Sequence, residues 1–433
     1  MVLLLPELVF DGETLRPDMG VLVEGERIVA VLPRAEAVRR AENVDATVQA
    51  LPRRALLPGF VNAHSHAFQR GLRGHVQYAD GGDSFWTWRE RMYTLANSLS
   101  PEGMQDVARL AFREMLAAGF TTVGEFHYVH HQPDGTRYAD PDELAHRVVA
   151  AAEDVGIRVV LLRVAYARAG FEVPANPLQR RFLDTSPDAA LDAVARLRAR
   201  GIAAGLAPHS TRACPIDWLR AFGAAGLEVP VHAHVDEQPG EIAASLREHG
   251  QRPLQVFGEA GLLSERFTAV HLTHPDAEEI ALLRAARAGV CACPSTELDL
   301  GDGFLPLASL DGDPLDGPPP VSIGSDSHAR IDPFGELAML EGHARALAGR
   351  RNVLRHAPSP DALAARLLRM GTEVGAGQLG VDAGRITAGA LADLVAIDLD
   401  HVALEGARPL PALVFAGSPA LVREVWVGGV RRR

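Results

Sequence analysis

Eight short apolar runs, most of them closing on a titratable residue, punctuate this chain, and helical stretches rich in Ala, Leu and Arg separate most of them. The runs are Ala55–His66, Phe120–Tyr128, Ile157–Tyr166, Ile202–Arg212, Val229–Glu237, Phe267–His274, Gly289–Thr296 and Val321–His328. Between them, Pro101–Ala118, Pro141–Asp154, Pro187–Arg200 and Asp276–Ala288 space their apolar residues by three and four, with Pro or Asp near the start, and are predicted to be helices. Eight strands alternating with helices predict an α/β fold, a (β/α)₈ TIM-type barrel. In such a barrel the chemistry gathers where the strands end. Here those ends carry His64, His66, His127, His209, Arg212, His234, Glu237, His271, His274, Asp326 and His328. Packing alone does not explain so many titratable strand ends.

The two ends of the chain read differently. Met19–Val23 and Arg27–Leu32 flank the turn Glu24-Gly25-Glu26, and Leu394–Asp398 and Val422–Val427 precede Gly428-Gly429. These are hairpin signals. The predicted organisation is a small β-sandwich domain built from residues 1–54 and 380–433, with the barrel, 55–379, inserted between them. The first segment, MVLLLPELVF, lacks a basic flank and a small-residue cleavage site and reads as a strand.

Composition removes several functions. The chain contains no lysine. A Walker-type phosphate loop, a Schiff-base lysine and a carbamylated-lysine metal bridge are therefore excluded. The net charge of −12 argues against nucleic acid and anionic membrane as partners. No apolar run is long enough for a membrane helix. Three cysteines, Cys214, Cys291 and Cys293, are too few and too oddly spaced for a disulfide framework or a zinc knuckle. They fit packing in a reducing, cytoplasmic compartment.

Four motifs carry chemistry. In Pro58-Gly59-Phe60-Val61-Asn62-Ala63-His64-Ser65-His66, strand alternation puts His64 and His66 on one face, where two imidazoles can grip one cation. In His232-Ala233-His234-Val235-Asp236-Glu237, one histidine can complete a metal site, and the carboxylate three residues on suits a proton shuttle. In His271-Leu272-Thr273-His274, one imidazole is expected in the site and His274 at the surface. In Ile323-Gly324-Ser325-Asp326-Ser327-His328, Asp326 can bind a metal through one oxygen and take a water proton through the other. The plainer readings are polar strand ends, a helix-capping Glu237 and a turn-forming Asp326.

Taken together, these motifs resemble the amidohydrolase superfamily over nearly the whole chain, and most closely its mononuclear-zinc deaminase branch. The binuclear branch usually bridges its metals with the modified lysine that this chain cannot make. The resemblance therefore implies one Zn²⁺ per subunit, held by His64, His66, His234 and Asp326, with a carboxylate-bridged pair left open. It further implies catalytic roles for Asp326 as proton acceptor, Glu237 as the acid that protonates the substrate nitrogen, and His271 as stabiliser of the tetrahedral intermediate.

Other residues at the barrel mouth narrow the substrate. The patterns His64-Ser-His-Ala-Phe-Gln-Arg70, Trp86-Thr-Trp-Arg89, Glu125-Phe-His-Tyr128 and His209-Ser-Thr-Arg212 are similar to those of the formimidoylglutamate deiminases of bacterial histidine degradation. That likeness implies a small-molecule dicarboxylate substrate. Arg212, Gln69 and Tyr128 would bind one carboxylate and Arg89 the other, with His209 near the formimidoyl group. Two arginines can each grip a carboxylate bidentately, and either can instead be a surface ion pair. Two alternatives stand beside this reading: a purine, pyrimidine or nucleoside deaminase on the same scaffold, and a non-enzymatic binding protein. The loop Gly74–Gly82 carries no diagnostic pattern. A homodimer is compatible with a barrel of this size, although no interface is legible.

Overall fold

The computed structural model describes residues 1–78, 84–311 and 317–433. Of the loop Gly74–Gly82, residues 79–82 lie outside the described residues. Eight parallel strands pair in chain order: Phe60–Ser65, Phe120–His127, Arg158–Ala165, Ala204–Pro208, Val231–Val235, Phe267–His271, Gly289–Ala292 and Val321–Ile323. They are called here the first to eighth barrel strands. All eight are buried from end to end except for the first two residues of the third. That explains why they read as continuous apolar runs, because a parallel sheet is covered on both faces.

Helices cover the outside. Pro101–Ala118 has the predicted bounds, and Glu143–Val155, Pro187–Ala199 and Ala277–Ala286 fall within two residues of them. The first of these starts at Ser100, whose side chain accepts from Gly103 N at 3.1 Å, with Pro101 in the first turn. Both features are ordinary helix starts. The aromatic run Ser84–Arg89 lies at the start of the helix Phe85–Ser98, where Ser84 and Thr87 form a capping box. Helical spacing then turns Phe85, Met92 and Tyr93 inward.

The barrel closes at one seam. Asp326 N donates to His64 O at 3.0 Å, and His66 N donates to Asp326 O at 3.1 Å. Just below, Asn62 Nδ2 donates to Ser325 Oγ at 2.7 Å, and Ser325 N donates to Asn62 Oδ1 at 2.9 Å. Gly324 makes this approach possible: a Cβ there would sit 2.8 Å from both Cβ and O of His64.

Strands from both chain ends form a second sheet. Its order is Val430–Arg431, Val422–Val427, Leu394–Asp398, Thr47–Pro58, Val2–Phe10, Met19–Glu24 and Arg27–Pro33, with Leu15–Pro17 paired to Val2–Phe10. Here the predicted strand Ala55–His66 is corrected. Residues up to Pro58 belong to this second sheet, and the barrel strand starts at Phe60. The break falls at Gly59, where a Cβ would meet Thr121 Oγ1 at 2.2 Å. Asp393 ties the two sheets together: its carbonyl accepts from Gly59 N at 2.8 Å, and its carboxylate pairs with Arg158 at 3.2 Å.

All three cysteines are free and buried, with Cys291 and Cys293 packed on Ala63 and Val270. No described helix is long and apolar enough to cross a membrane.

Candidate metal centre and substrate pocket

The strand ends converge. His64 and His66 leave the first strand on one side, with their Nε2 atoms 3.2 Å apart. Asp326 Oδ1 lies 3.3 Å from the first Nε2 and 3.2 Å from the second. His234 completes the group: one ligand atom from each of the four residues lies within 4.8 Å of the others. Backbone carbonyls set two of the tautomers. His66 Nδ1 donates to Phe126 O at 2.9 Å, and His234 Nδ1 donates to His209 O at 3.0 Å. With the proton on Nδ1, each Nε2 turns a lone pair toward the cluster. Burial holds the His64 imidazole well below its ordinary range and pushes His234 down to about 3. Neutral imidazoles facing one carboxylate oxygen form a donor set that fits a divalent metal such as zinc.

Two further groups border this cluster. His271 Nε2 stands 3.9 Å from Asp326 Oδ2 and 3.7 Å from Glu237 Oε1. Glu237 is in turn held by Arg212, whose Nη2 donates to Oε2 at 2.8 Å. Burial opposes charge on Glu237, but Arg212 and then His271 outweigh it and keep the carboxyl below its usual range. Several backbones here are strained. Asp236, His271, Leu272, Asp326 and His328 all have φ between 45° and 70°. Non-glycine residues rarely adopt that region, and such strain gathers at functional sites.

Above the cluster lies a pocket with His66, His234, Glu237 and Asp326 in its floor. Gln69, Arg89, Tyr128, His209 and Arg212, the five residues expected to bind substrate, all line its walls. Gln69 Nε2 donates to Tyr128 Oη at 2.8 Å, while Gln69 Oε1 is buried without a partner. Arg89 stacks 4.6 Å from the Trp86 ring and 5.6 Å from that of Tyr93, and no carboxylate pairs with it among the described residues. Arg212 differs from the expected free clamp. It is buried, and it is tied to Glu237 and, 3.3 Å away, to Glu241. Only its Nη1 is left without a partner. Burial, reinforced by neighbouring His234 and the Arg212 guanidinium, holds His209 well below its ordinary range, so it stands neutral. His274, expected at the surface, is half-buried and held by Asp302 O at 2.6 Å.

Sequence reasoning passed over several residues. Tyr93 and Tyr166 line the pocket, and Gln179 Nε2 bonds to both hydroxyls, at 3.1 and 2.8 Å. Tyr166 closes the third predicted strand, which was a usable signal. Tyr93 is reached only because Phe85–Ser98 is a helix. Glu241 follows Glu237 at a helical spacing of four, a second usable signal.

Comparison with known proteins agrees with this geometry. Residues 55–432 match the model of the Amidohydrolase family. The formimidoylglutamate deiminase of Pseudomonas aeruginosa is 41% identical over 385 residues, covering 87% of this chain and 84% of that protein. An amidohydrolase from Brucella melitensis superposes with a TM-score of 0.86 at 31% identity, over 100% of this chain and 94% of its own. An adenosine deaminase from Xanthomonas campestris with bound zinc superposes with a TM-score of 0.82 at 27% identity, over 99% of this chain and 92% of its own.

Proposed function

The chain belongs to the amidohydrolase family, and on that premise we propose that it is a zinc-dependent deiminase converting N-formimidoyl-L-glutamate and water to N-formyl-L-glutamate and ammonia. One observation carries the reading: a single pocket combines the His64–His66–His234–Asp326 cluster in its base with Arg89 and Arg212 in its walls. A formimidoyl carbon over the cluster leaves a substrate's two carboxylates facing two arginines. The likeness to the Pseudomonas aeruginosa enzyme supports the same substrate.

His64, His66, His234 and Asp326 would hold one zinc ion. Bound there, zinc lowers the pKa of a water toward about 7 and so supplies a nucleophile at neutral pH. Asp326 Oδ2 faces His271 rather than the histidine pair, and it is placed to take the proton that the attacking water sheds. Glu237 starts charged, takes up one of the two protons of the water and delivers it to the substrate nitrogen. The C=N carbon gains the oxygen, the second water proton passes from Asp326 to the same nitrogen as the C–N bond breaks, and ammonia leaves with both. His271 Nε2 faces Glu237 and Asp326; burial opposes charge on this ring, but Glu237, Glu297 and Asp326 outweigh it and push it up to about 10, so both ring nitrogens carry hydrogen and Nε2–H steadies the oxygen as negative charge develops. Arg212 Nη1, Gln69 and Tyr128 bind one carboxylate, and Arg89 binds the other. His209, neutral and against His234, borders the formimidoyl group.

The test is ammonia release by zinc-loaded protein, with N-formimidoyl-L-glutamate assayed beside guanine, cytosine and adenosine. Turnover of the first alone is expected. Turnover of a base or nucleoside instead would keep the metal chemistry and overturn the roles of the two arginines.

A further inference from the structure

Glu297 lies just beyond the seventh strand, in the first turn of the helix Pro294–Leu300, and is 1% exposed. A buried carboxylate needs partners. Glu297 Oε1 has two: it accepts from Cys293 N at 2.7 Å and lies 3.4 Å from His271 Nδ1. His271 is the one ion-pair partner of Glu297 among the described residues. On the far side of the same ring, Nε2 is buried, has no hydrogen-bond partner, and faces Glu237 and Asp326.

We infer that Glu297 is a positioning residue: it holds the His271 ring with Nδ1 protonated and Nε2 turned into the reacting space. An ionised carboxylate only accepts, so the ring nitrogen facing it carries the hydrogen. An imidazole flipped about its Cβ–Cγ bond would turn Nε2 away from Glu237 and Asp326 and break the contact. The backbone does not hold the ring by habit, since His271 sits at φ 70° and Leu272 at φ 52°. A strained local conformation persists when its surroundings over-determine it. Glu297 supplies that restraint from a different strand–helix connection. Its bond to Cys293 N fixes the carboxylate in turn, so backbone, Glu297 and His271 form one chain of contacts ending at Glu237 and Asp326.

The plain competitor is a helix cap, because the Cys293 N contact alone would explain a buried glutamate. Two variants separate the readings. Glu297→Gln keeps the length and an acceptor for Cys293 N, but its amide can also donate and so lets Nδ1 lose its proton. Glu297→Leu removes acceptor and charge together. In zinc-loaded protein carrying ¹⁵N-labelled histidine, the His271 signal is the one missing from a His271→Asn control. The wild type is expected to show protonated Nδ1, Glu297→Gln a mixture, and Glu297→Leu loss of that state. With N-formimidoyl-L-glutamate, kcat is expected to fall about 10-fold in Glu297→Gln and up to about 100-fold in Glu297→Leu, with KM and zinc content unchanged. A variant that keeps both kcat and the Nδ1 proton while losing thermal stability would reduce Glu297 to a cap and overturn the inference. The kinetic arm rests on the proposed substrate, but the ring signal needs none. A wild type inactive on formimidoylglutamate would sink the substrate reading and leave the test of Glu297 standing.

Discussion

Arg212 Nη2 donates to Glu237 Oε2 at 2.8 Å, so a wall residue of the pocket and the proposed proton carrier in its floor form one buried pair. The two arginines should therefore fail differently. Arg212→Met leaves Glu237 and Glu241 buried without their cation, and breaking such a pair costs about 3–5 kcal/mol. Expected outcomes are a lowered Tm and a kcat/KM for formimidoylglutamate reduced by more than about 10²-fold. Arg89→Met leaves no buried charge behind. It should raise KM by about 10- to 100-fold at unchanged Tm, the loss of one charge-assisted hydrogen bond. Steady-state kinetics and thermal melts check both, and two variants with unchanged KM would refute the clamp.

Glu237→Gln tests the proton path. The amide keeps the shape and can still meet Arg212, but it cannot carry a proton. An acid/base group is worth about 10²–10⁴ in rate, so kcat should fall by that range while KM stays within about twofold. Zinc content measured on the same sample should match the wild type. A kcat above about one tenth of wild type would move the proton to another residue.

Metal removal should act on stability as well as rate. A ligand at 100 times its Kd stabilises the folded state by about 2.7 kcal/mol. Chelation is expected to abolish ammonia release and lower Tm, and added zinc to restore both. His234→Ala should be inactive, with zinc content near zero by elemental analysis.

Gly324→Ala tests the seam. The added Cβ would press on Cβ and O of His64, 2.8 Å away, and on Cys293 Sγ at 3.0 Å. Zinc affinity should drop, because His64 and Asp326 can no longer keep their spacing. A competition titration against a chromogenic chelator reads this, and wild-type affinity would mean the seam yields without disturbing the ligands.

Glu336 makes a pH prediction away from the metal. It is fully buried and accepts from Ser295 N at 2.9 Å, and burial, against those hydrogen bonds, raises its carboxyl to about 8. The unfolded chain releases this proton near pH 4.5, the folded one only near about 8. Across that window the folded state binds more protons, so this group makes stability fall as pH rises. Glu336→Gln removes the effect. Its Tm relative to wild type should therefore rise between about pH 5 and pH 8.5. A pH-independent difference would show that Glu336 is charged in the fold.

Much of the site is visible in the chain because strand alternation is rigid. His64 and His66 are two apart, so they must share a face. His234, His271 and Asp326 end strands, and a barrel brings strand ends together. The break at Gly59 was hidden because Ala55-Leu-Leu-Pro58 is as apolar as the strand after it, and which sheet an apolar run joins depends on its neighbours. The pairing of Arg212 with Glu237 was hidden for another reason. It depends on the relative height of the fourth and fifth strands, and hydrophobic period carries no information about stagger. Glu297 was passed over because its reach to His271 is set by a helix start, in a segment where only Cys293 drew notice.

The seam has a consequence for how the protein matures. Asn62 and Ser325, which bond across it, are 263 residues apart. The first two proposed metal ligands leave the ribosome long before the last. A nascent chain therefore carries His64 and His66 with no Asp326 to complete the proposed grip until just over three quarters of the protein has been made. The full set of ligands first meets when the eighth strand docks on the first. With the proposed ligands, tight metal capture is then a late event, reserved for chains that have already closed their barrel.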